Sequence, residues 1–173
     1  MKTSPQPGSP RPLSSRPARV RRILPSMTNW QQNIIDDSES IRQLLSNTRT
    51  IAVLGIKTES QSNQPAFYVP NYMASAGFQI IPVPVYYPEV TQILGQKVYR
   101  KLVEIPAEVD LVNVFRRSQD VPGHLDDLLA KQPKAVWMQS GIRNAAVAEQ
   151  LAQAGIKVVQ DRCLMVEHRY LGV

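Results

Sequence analysis

Four consecutive residues with the properties of a phosphate-binding loop follow a short apolar run: Gly55, Ile56, Lys57 and Thr58. The apolar run at 51–54 is typical of a buried strand, and a glycine can turn the chain in conformations that other residues rarely adopt. A helix is expected to begin at Pro65, and the first N–H groups of a helix have no partner within it and attract phosphate. Strand, glycine turn and helix start, in this order, predict a nucleotide-binding site.

The glycine spacing argues against one large class of nucleotide sites. After Gly55 the next glycine is Gly77, so the G-x-G-x-x-G fingerprint of dinucleotide-binding folds is missing. Residues 75–85, where the second strand should end, contain no Asp or Glu that could hold the ribose of NAD, and Glu89 comes too late. An NAD(P)-dependent oxidoreductase is therefore the alternative function and not the preferred one.

The remaining reactive side chains do not form a recognisable catalytic set. The single cysteine, Cys163, cannot form an internal disulfide, and His124 and His168 have no cysteine neighbours typical of a metal site. No nucleophile, base and orienting group can be named together. The sequence therefore predicts no catalytic residue and no metal, and it favours a binding module while leaving open whether the protein is an enzyme.

The positive charge of the chain is concentrated at its N-terminus. The chain has 173 residues and a formal net charge of +6, and residues 1–27 hold six Lys and Arg without an acid, so that the rest is neutral. This segment is rich in Pro and Ser and poor in large apolar residues, and we expect it to be disordered. It could precede a functional start at Met27, act as an organelle transit peptide or, least favoured, be a basic arm for nucleic acid or anionic lipid.

Residues 28–173 are expected to form one domain, because their number lies near the commonest domain size. No apolar run approaches the roughly 20 residues that span a bilayer, so no membrane contact is expected. The use of only one cysteine favours a reducing, cytoplasmic compartment, with import into an organelle left open.

Short apolar runs alternate with helix-like segments along this domain. Strands are predicted at 51–54, 79–83, 109–115, 135–138 and 157–159. Helices are predicted at 38–47, 65–76, 118–131 and 145–154, and a loop is predicted through 86–102. Pro70 should bend the second helix or delay its start, and Pro82 and Pro84 should make the second strand leave the sheet early. The alternation predicts an α/β fold with a Rossmann-type, doubly wound, five-stranded parallel sheet in three α/β/α layers.

The order of the strand ends resembles a known family. The pieces that carry the resemblance are Val53-Leu54-Gly55, Ile81-Pro82-Val83-Pro84, Ile93-Leu94-Gly95, the run from Asp110 to Arg117, Trp137-Met138-Gln139-Ser140-Gly141 with Asn144, and Asp161-Arg162-Cys163. Together they are similar to the small single-domain CoA-binding proteins, which are in turn similar to the CoA-binding domain of the succinyl-CoA synthetase alpha subunit. The resemblance covers about residues 41–171.

This resemblance implies that coenzyme A or an acyl-CoA binds at the C-terminal ends of the strands, where open α/β sheets hold their ligands. The first loop would meet the pyrophosphate through its backbone N–H groups and Lys57, helped by the dipole of the next helix. The implied contacts are Gly55, Ile56, Lys57, Thr58, Ala66, Phe67, Pro84, Val85, Tyr86, Phe115, Arg116, Arg117, Gln139, Ser140 and Gly141.

The resemblance also distributes these contacts along the ligand. Residues 84–86 would border the adenine and its ribose, residues 115–117 would lie beside the phosphates or the pantetheine, and residues 139–141 would face the pantetheine arm. It leaves open whether the chain acts alone or as the CoA-binding subunit of a multi-subunit acyl-CoA enzyme.

Overall fold

The structure is a computed structural model that describes residue 4 and residues 29–173. The segment 1–27, for which we predict disorder, lies outside these residues except at position 4. In chain order the strands are β1 (Thr50–Leu54), β2 (Gln79–Val83), β3 (Gln92–Ile93), β4 (Gln96–Lys97), β5 (Leu111–Val114), β6 (Ala135–Met138) and β7 (Lys157–Val159). The α-helices are α1 (Ser38–Ser46), α2 (Pro65–Ser75), α3 (Leu125–Lys131), α4 (Ala145–Gln153) and α5 (Leu164–Leu171). Short 3-10 helices lie at Trp30–Asn33, Glu59–Gln61, Leu102–Glu104 and Val121–His124.

Five parallel strands form the central sheet in the order β2-β1-β5-β6-β7. From β1 the chain first adds β2 on one side and then places β5, β6 and β7 on the other. The order therefore reverses between β1 and β5, and a crevice opens at such a point beyond the C-terminal ends of the strands.

The two faces of the sheet carry separate apolar cores. In β1, Ile51 and Val53 pack in the core beneath α1, α2 and α5, whereas Ala52 and Leu54 pack in the core that includes residues of α3 and α4. This alternation is the period-two geometry of a strand that is buried on both sides. The predicted fold, a doubly wound five-stranded parallel sheet between two helical layers, is confirmed. None of the helices in the described part of the chain is long and apolar enough to cross a membrane.

The prediction that β2 leaves the sheet early is wrong. Its pairing with β1 continues to its last residue, where Leu54 lies opposite Val83. The carbonyl of Pro82 accepts a hydrogen bond from the N–H of Tyr99, on the side away from β1, at 3.0 Å. The nitrogen of Pro82 faces the same outer side, so the hydrogen that proline lacks is not needed for pairing with β1.

The opposite edge of the sheet is also covered by the chain itself. Ile34 forms a parallel bridge with Val158 of β7, and the N–H of Ile35 donates to the Val158 carbonyl at 2.8 Å. The chain itself therefore supplies a hydrogen-bond donor to each outer strand of the sheet: Tyr99 donates to Pro82 of β2, and Ile35 donates to Val158 of β7.

Helix α2 begins at Pro65, as predicted, so Pro70, which lies buried inside it, does not delay its start. Two other predictions need correction, and one helix was missed. The region 86–102 is not all loop, because β3 and β4 form a small antiparallel hairpin there. The predicted helix at 118–131 is shorter, since Pro122 and Gly123 lie in a 3-10 helix before α3, and helix α5 was not predicted at all.

Asp110 joins the N-terminal ends of the three central strands. Its carboxylate accepts hydrogen bonds from the backbone N–H groups of Arg49 and Thr50 at 2.9 and 3.1 Å and from Lys134 Nζ at 2.7 Å. Partial burial acts to raise the pKa of Asp110, but the hydrogen bonds from Lys134, Thr50 and Arg49 outweigh it and lower the pKa to about 2.

Replacement of Asp110 by Asn should lower the free energy of unfolding by about 1 to 2 kcal/mol at pH 7. Because the pKa is lower in the folded state, the stabilisation is present above about pH 4 and is lost as the pH falls through about 2. Urea unfolding of both proteins at pH 7, 4 and 2 measures this. A difference that stays constant over this range would contradict the assignment.

Candidate functional site

Gly55 brings the ends of β1 and β5 into contact at the point where the strand order reverses. Its φ is +89°, and a methyl group at this position would clash with the carbonyl oxygen of Phe115 and lie 3.2 Å from Cδ of Arg116. The N–H of Gly55 donates to Val83 O, and the N–H of Phe115 donates to Leu54 O, both at 2.9 Å. The glycine is therefore required both by the turn and by the close approach of the neighbouring strand.

The first loop is bound tightly to its own protein. The N–H of Lys57 donates to Ala66 O at 3.1 Å, and the N–H of Thr58 donates to Gln61 Oε1 at 3.2 Å. The side chains of Ile56 and Thr58 are buried. With the Gly55 bond, three of the four N–H groups of this loop donate within the protein. Among the described residues the N–H of Ile56 has no acceptor, so this N–H and the side chain of Lys57 remain for a ligand.

The start of α2 offers a backbone donor. Pro65 is the first helical residue and has no N–H, and the N–H groups of Phe67 and Tyr68 bond back to Gln64 O at 2.9 and 3.0 Å. Within the described residues the N–H of Ala66 has no acceptor, and the side chain of Gln64 does not cap the helix. This first turn combines a backbone donor with the positive end of an eleven-residue helix.

A cleft of about 640 Å³ opens between this helix start and the ends of β5 and β6. It is lined by Gln64, Pro65, Ala66, Tyr68, Phe115, Arg116, Arg117, Ser118, Gln119, Gln139, Ser140, Gly141, Ile142 and Cys163. The structure thus brings together seven of the predicted contacts, those at 66, 115–117 and 139–141. The side chain of Phe67 is instead buried in the core, so only its backbone belongs to the helix start.

Sequence reasoning missed several residues of this cleft. Tyr68 lies one helical turn after Gln64 and Pro65, and Ser118 and Gln119 directly follow the two arginines. The spacing within α2 and the position after β5 were signals for these three. Nothing local in the sequence marks Cys163 as a cleft residue, because α5 brings it there.

Gln139 supports the wall of the cleft rather than offering its amide to a ligand. Only 4% of it is exposed. Its Oε1 accepts from the N–H of Leu164 at 2.8 Å, and its Nε2 donates to Cys163 Sγ at 3.8 Å. The side chain therefore fixes the start of α5 against the end of β6. Next to it, Gly141 has a φ of +80° and donates its N–H to Asp161 Oδ1 at 2.6 Å.

Lys57, Tyr86, Arg116 and Arg117 form what we call the cationic cluster. Nζ of Lys57 lies 5.1 Å from the centre of the Tyr86 ring, and Cζ of Arg116 lies 5.6 Å from it. The Arg116 guanidinium, with smaller contributions from Arg117 and Lys57, lowers the pKa of the Tyr86 phenol by favouring its ionised form. Two cations from two loops, Lys57 and Arg116, thus lie against one exposed aromatic ring that follows β2, and Arg117 is near enough for its charge to act on the phenol.

A second cavity of about 590 Å³ lies beside the ends of β1 and β2. It is lined by Leu54, Pro84, Val85, Arg100, Lys101, Val103, Gly123, His124, Asp126, Asp127 and Ala130. Burial, followed by the charge of Arg116, lowers the pKa of His124 in its wall. The structure therefore places the predicted contacts Pro84 and Val85 in a different cavity from the other strand-end residues.

Arg100 holds the segment that carries Tyr86. Its Nη2 donates to the carbonyls of Pro88 and Val90 at 3.1 and 2.6 Å, and its Nη1 donates to the Tyr86 carbonyl at 3.4 Å. The cationic cluster therefore has a fixed position between the two cavities: Arg116 lines the cleft, and Pro84 and Val85 lead from the second cavity to Tyr86.

Comparison with known proteins identifies relatives of similar size. The Bacillus subtilis protein YneT is 34% identical over 128 residues, which cover 74% of this chain and 91% of YneT. The solved structure of the Thermus thermophilus protein cell-free ID.343 is 38% identical with a TM-score of 0.72, covering 79% of this chain and 99% of that one. A hypothetical protein from Pyrococcus horikoshii OT3 is 26% identical with a TM-score of 0.71, covering 80% and 94%.

The family comparison covers the whole sheet and the helices around it except α1 and the end of α5. The CoA binding domain matches residues 49–169, from the start of β1 to within α5. This is well over half of the chain and includes the loop after β1, the cleft and the cationic cluster. The chain belongs to the CoA binding domain family.

Proposed function

We propose that this protein binds coenzyme A or an acyl-CoA across the C-terminal ends of its parallel strands. The observation that carries the proposal is the 640 Å³ cleft at the reversal of strand order, which has the start of α2 on one wall and two arginines on another. Its volume lies within the range of pockets that hold small molecules and cofactors. The family of the chain supports coenzyme A as the ligand.

The parts of the ligand match different parts of this surface. The pyrophosphate suits the Ala66 N–H at the start of α2, because the first turn of a helix favours negative charge. The flexible pantetheine arm suits the cleft, whose walls combine Phe115 and Ile142 with polar groups. The adenosine then extends past Tyr86 toward Pro84 and Val85.

The composition of the cleft favours binding over catalysis by this chain alone. Within the described residues, its lining contains no Asp, Glu or His that could act as a general base. The thioester carbonyl carbon of an acyl-CoA bound in this cleft would be surrounded by amide, hydroxyl and apolar side chains, with the thiol of Cys163 nearby. We therefore propose a CoA-binding module, and a reaction on the acyl group would need residues from another polypeptide.

Coenzyme A should raise the thermal stability of the purified protein. At a concentration one hundred times its dissociation constant, a ligand that binds only the folded state stabilises by about 2.7 kcal/mol. Thermal unfolding with added CoA, acetyl-CoA, NAD or NADP measures this, and mass spectrometry of the denatured protein identifies any co-purified nucleotide. A clear shift with NAD and none with the CoA species would refute the proposal.

A further inference from the structure

The cationic cluster carries more positive charge than the protein itself neutralises. Among the described residues only Asp120 forms ion pairs with it, through Arg117 Nε at 2.6 Å and Arg116 Nη2 at 3.7 Å. Lys57 forms no ion pair with any residue that the structure describes. Three cations against one carboxylate leave a net charge of about +2 around Tyr86.

Arg116 also has hydrogen-bonding capacity that nothing in the described residues uses. Only 14% of its side chain is exposed, and its buried Nε has no partner there. A buried charged donor without an acceptor costs free energy, so an anion that reached this point would be bound favourably. The guanidinium is already held in place by the Tyr86 ring and by Asp120.

The cluster stands where an adenosine ribose would lie. Tyr86 is the third residue after β2, and in nucleotide-binding sheets of this type the end of the second strand faces the ribose. Enzymes that bind NAD place an acid there to hold the ribose hydroxyls, whereas a ribose phosphate is accommodated by arginine. Here the end of β2 has no acid, and Lys57 and Arg116 lie against the ring of Tyr86, with Arg117 next to Arg116 in the chain.

From this arrangement we infer that the cationic cluster recognises the 3′-phosphate of coenzyme A and makes the site selective for a ribose phosphomonoester. The inference rests on the proposed function and assigns the two anionic groups of the ligand separately. The pyrophosphate lies at the start of α2, and the phosphomonoester lies among Lys57, Arg116 and Arg117. A phosphomonoester carries between one and a half and two negative charges at neutral pH, about the excess charge of the cluster.

The test compares coenzyme A with dephospho-CoA, which differs only by the 3′-phosphate. Isothermal titration calorimetry on the wild type, Lys57→Gln and Arg116→Gln gives the two affinities for each protein. We expect the wild type to prefer coenzyme A at least tenfold. Each variant should lose about tenfold in affinity for coenzyme A and less than twofold for dephospho-CoA.

Lys97→Gln is the matched control, because its Nζ also lies over a tyrosine ring, 5.2 Å from the centre of Tyr99, outside the proposed site. It should change neither affinity. If Arg116→Gln fails to fold, Lys57→Gln carries the test, since the Lys57 side chain lies in a surface loop.

The remaining outcomes separate this inference from the proposed function. Equal losses for both ligands would place the pyrophosphate in the cluster and overturn the inference, while coenzyme A binding stands. If both variants bound coenzyme A and dephospho-CoA as tightly as the wild type, the inference about the 3′-phosphate would also be overturned, while coenzyme A binding would stand. If the wild type bound neither ligand, the proposed function itself would fail.

Discussion

Replacing Gly55 by Ala is expected to destabilise the protein by about 2 to 5 kcal/mol and to abolish coenzyme A binding at any practical concentration. Two costs combine. A side chain at a φ of +89° is strained, and the added methyl group would press on the Phe115 carbonyl, which belongs to backbone and cannot rotate away. Relief of that clash would separate β1 from β5 and so deform the crevice where Arg116 lies. Urea unfolding and calorimetric titration measure the two effects.

Gly77→Ala is the matched control for Gly55→Ala. Gly77 has a similar φ of +101°, but a methyl group there would meet nothing within 4 Å. This variant should lose about 1 to 3 kcal/mol through backbone strain and keep its affinity for coenzyme A. If the two variants were equally destabilised, the contact between Gly55 and Phe115 would have no energetic importance.

Replacing Gln64 by Asp should raise stability and lower coenzyme A affinity in the same molecule. Gln64 precedes the first residue of α2 with extended backbone and no capping hydrogen bond. A carboxylate at this position caps the helix and suits its dipole, which should stabilise the protein by about 0.5 to 1 kcal/mol. The same carboxylate would occupy the Ala66 N–H and repel the pyrophosphate, and we expect at least a tenfold loss of affinity.

Gln64→Asn separates charge from capping, since the neutral amide caps about as well as the carboxylate. It should stabilise to a similar degree and lose less affinity than Gln64→Asp. Thermal unfolding without ligand and titration with coenzyme A measure both properties. If Gln64→Asp bound coenzyme A as tightly as the wild type, the pyrophosphate would not lie at the start of α2.

The sequence predicts those elements of the fold whose signals are local. Asn144 marks the start of α4 and does accept a hydrogen bond from the N–H of Val147, and strands β2, β6 and β7 have the predicted bounds. Helix α5 lacks such a signal. Cys163 precedes it without capping it, and the cap comes from Gln139, which is 25 residues away in sequence.

The sequence also did not predict the hairpin of β3 and β4, because the contact that supports it comes from a distant part of the chain. Its turn places Leu94 at a φ of +53° followed by Gly95 at +69°, and leucine rarely adopts such a conformation. The turn is supported by Glu59, whose carboxylate accepts from the N–H of Leu94 at 2.8 Å. Support of this kind depends on the folded chain and leaves no trace in the local sequence.

The sequence predicts which loops contribute to the candidate site, but not which cavity each of their residues lines. Loops that follow parallel strands must meet at one edge of the sheet, and this alone brings residues 115–117 and 139–141 into one cleft. Which side of the sheet a loop residue faces depends on tertiary packing. Pro84 and Val85 consequently lie in the second cavity, and the first loop uses most of its N–H groups for its own structure.

The covered edges of the sheet restrict how this protein can assemble with others. At one edge Pro82 lacks a donor and its carbonyl is taken by Tyr99, and at the other edge Ile34 and Ile35 occupy Val158. A partner that joins by adding a strand would first have to displace these segments. An association that leaves these segments in place would use the helical faces or the rim around the cleft, where a second protein would also meet the exposed end of the acyl group of an acyl-CoA bound as proposed.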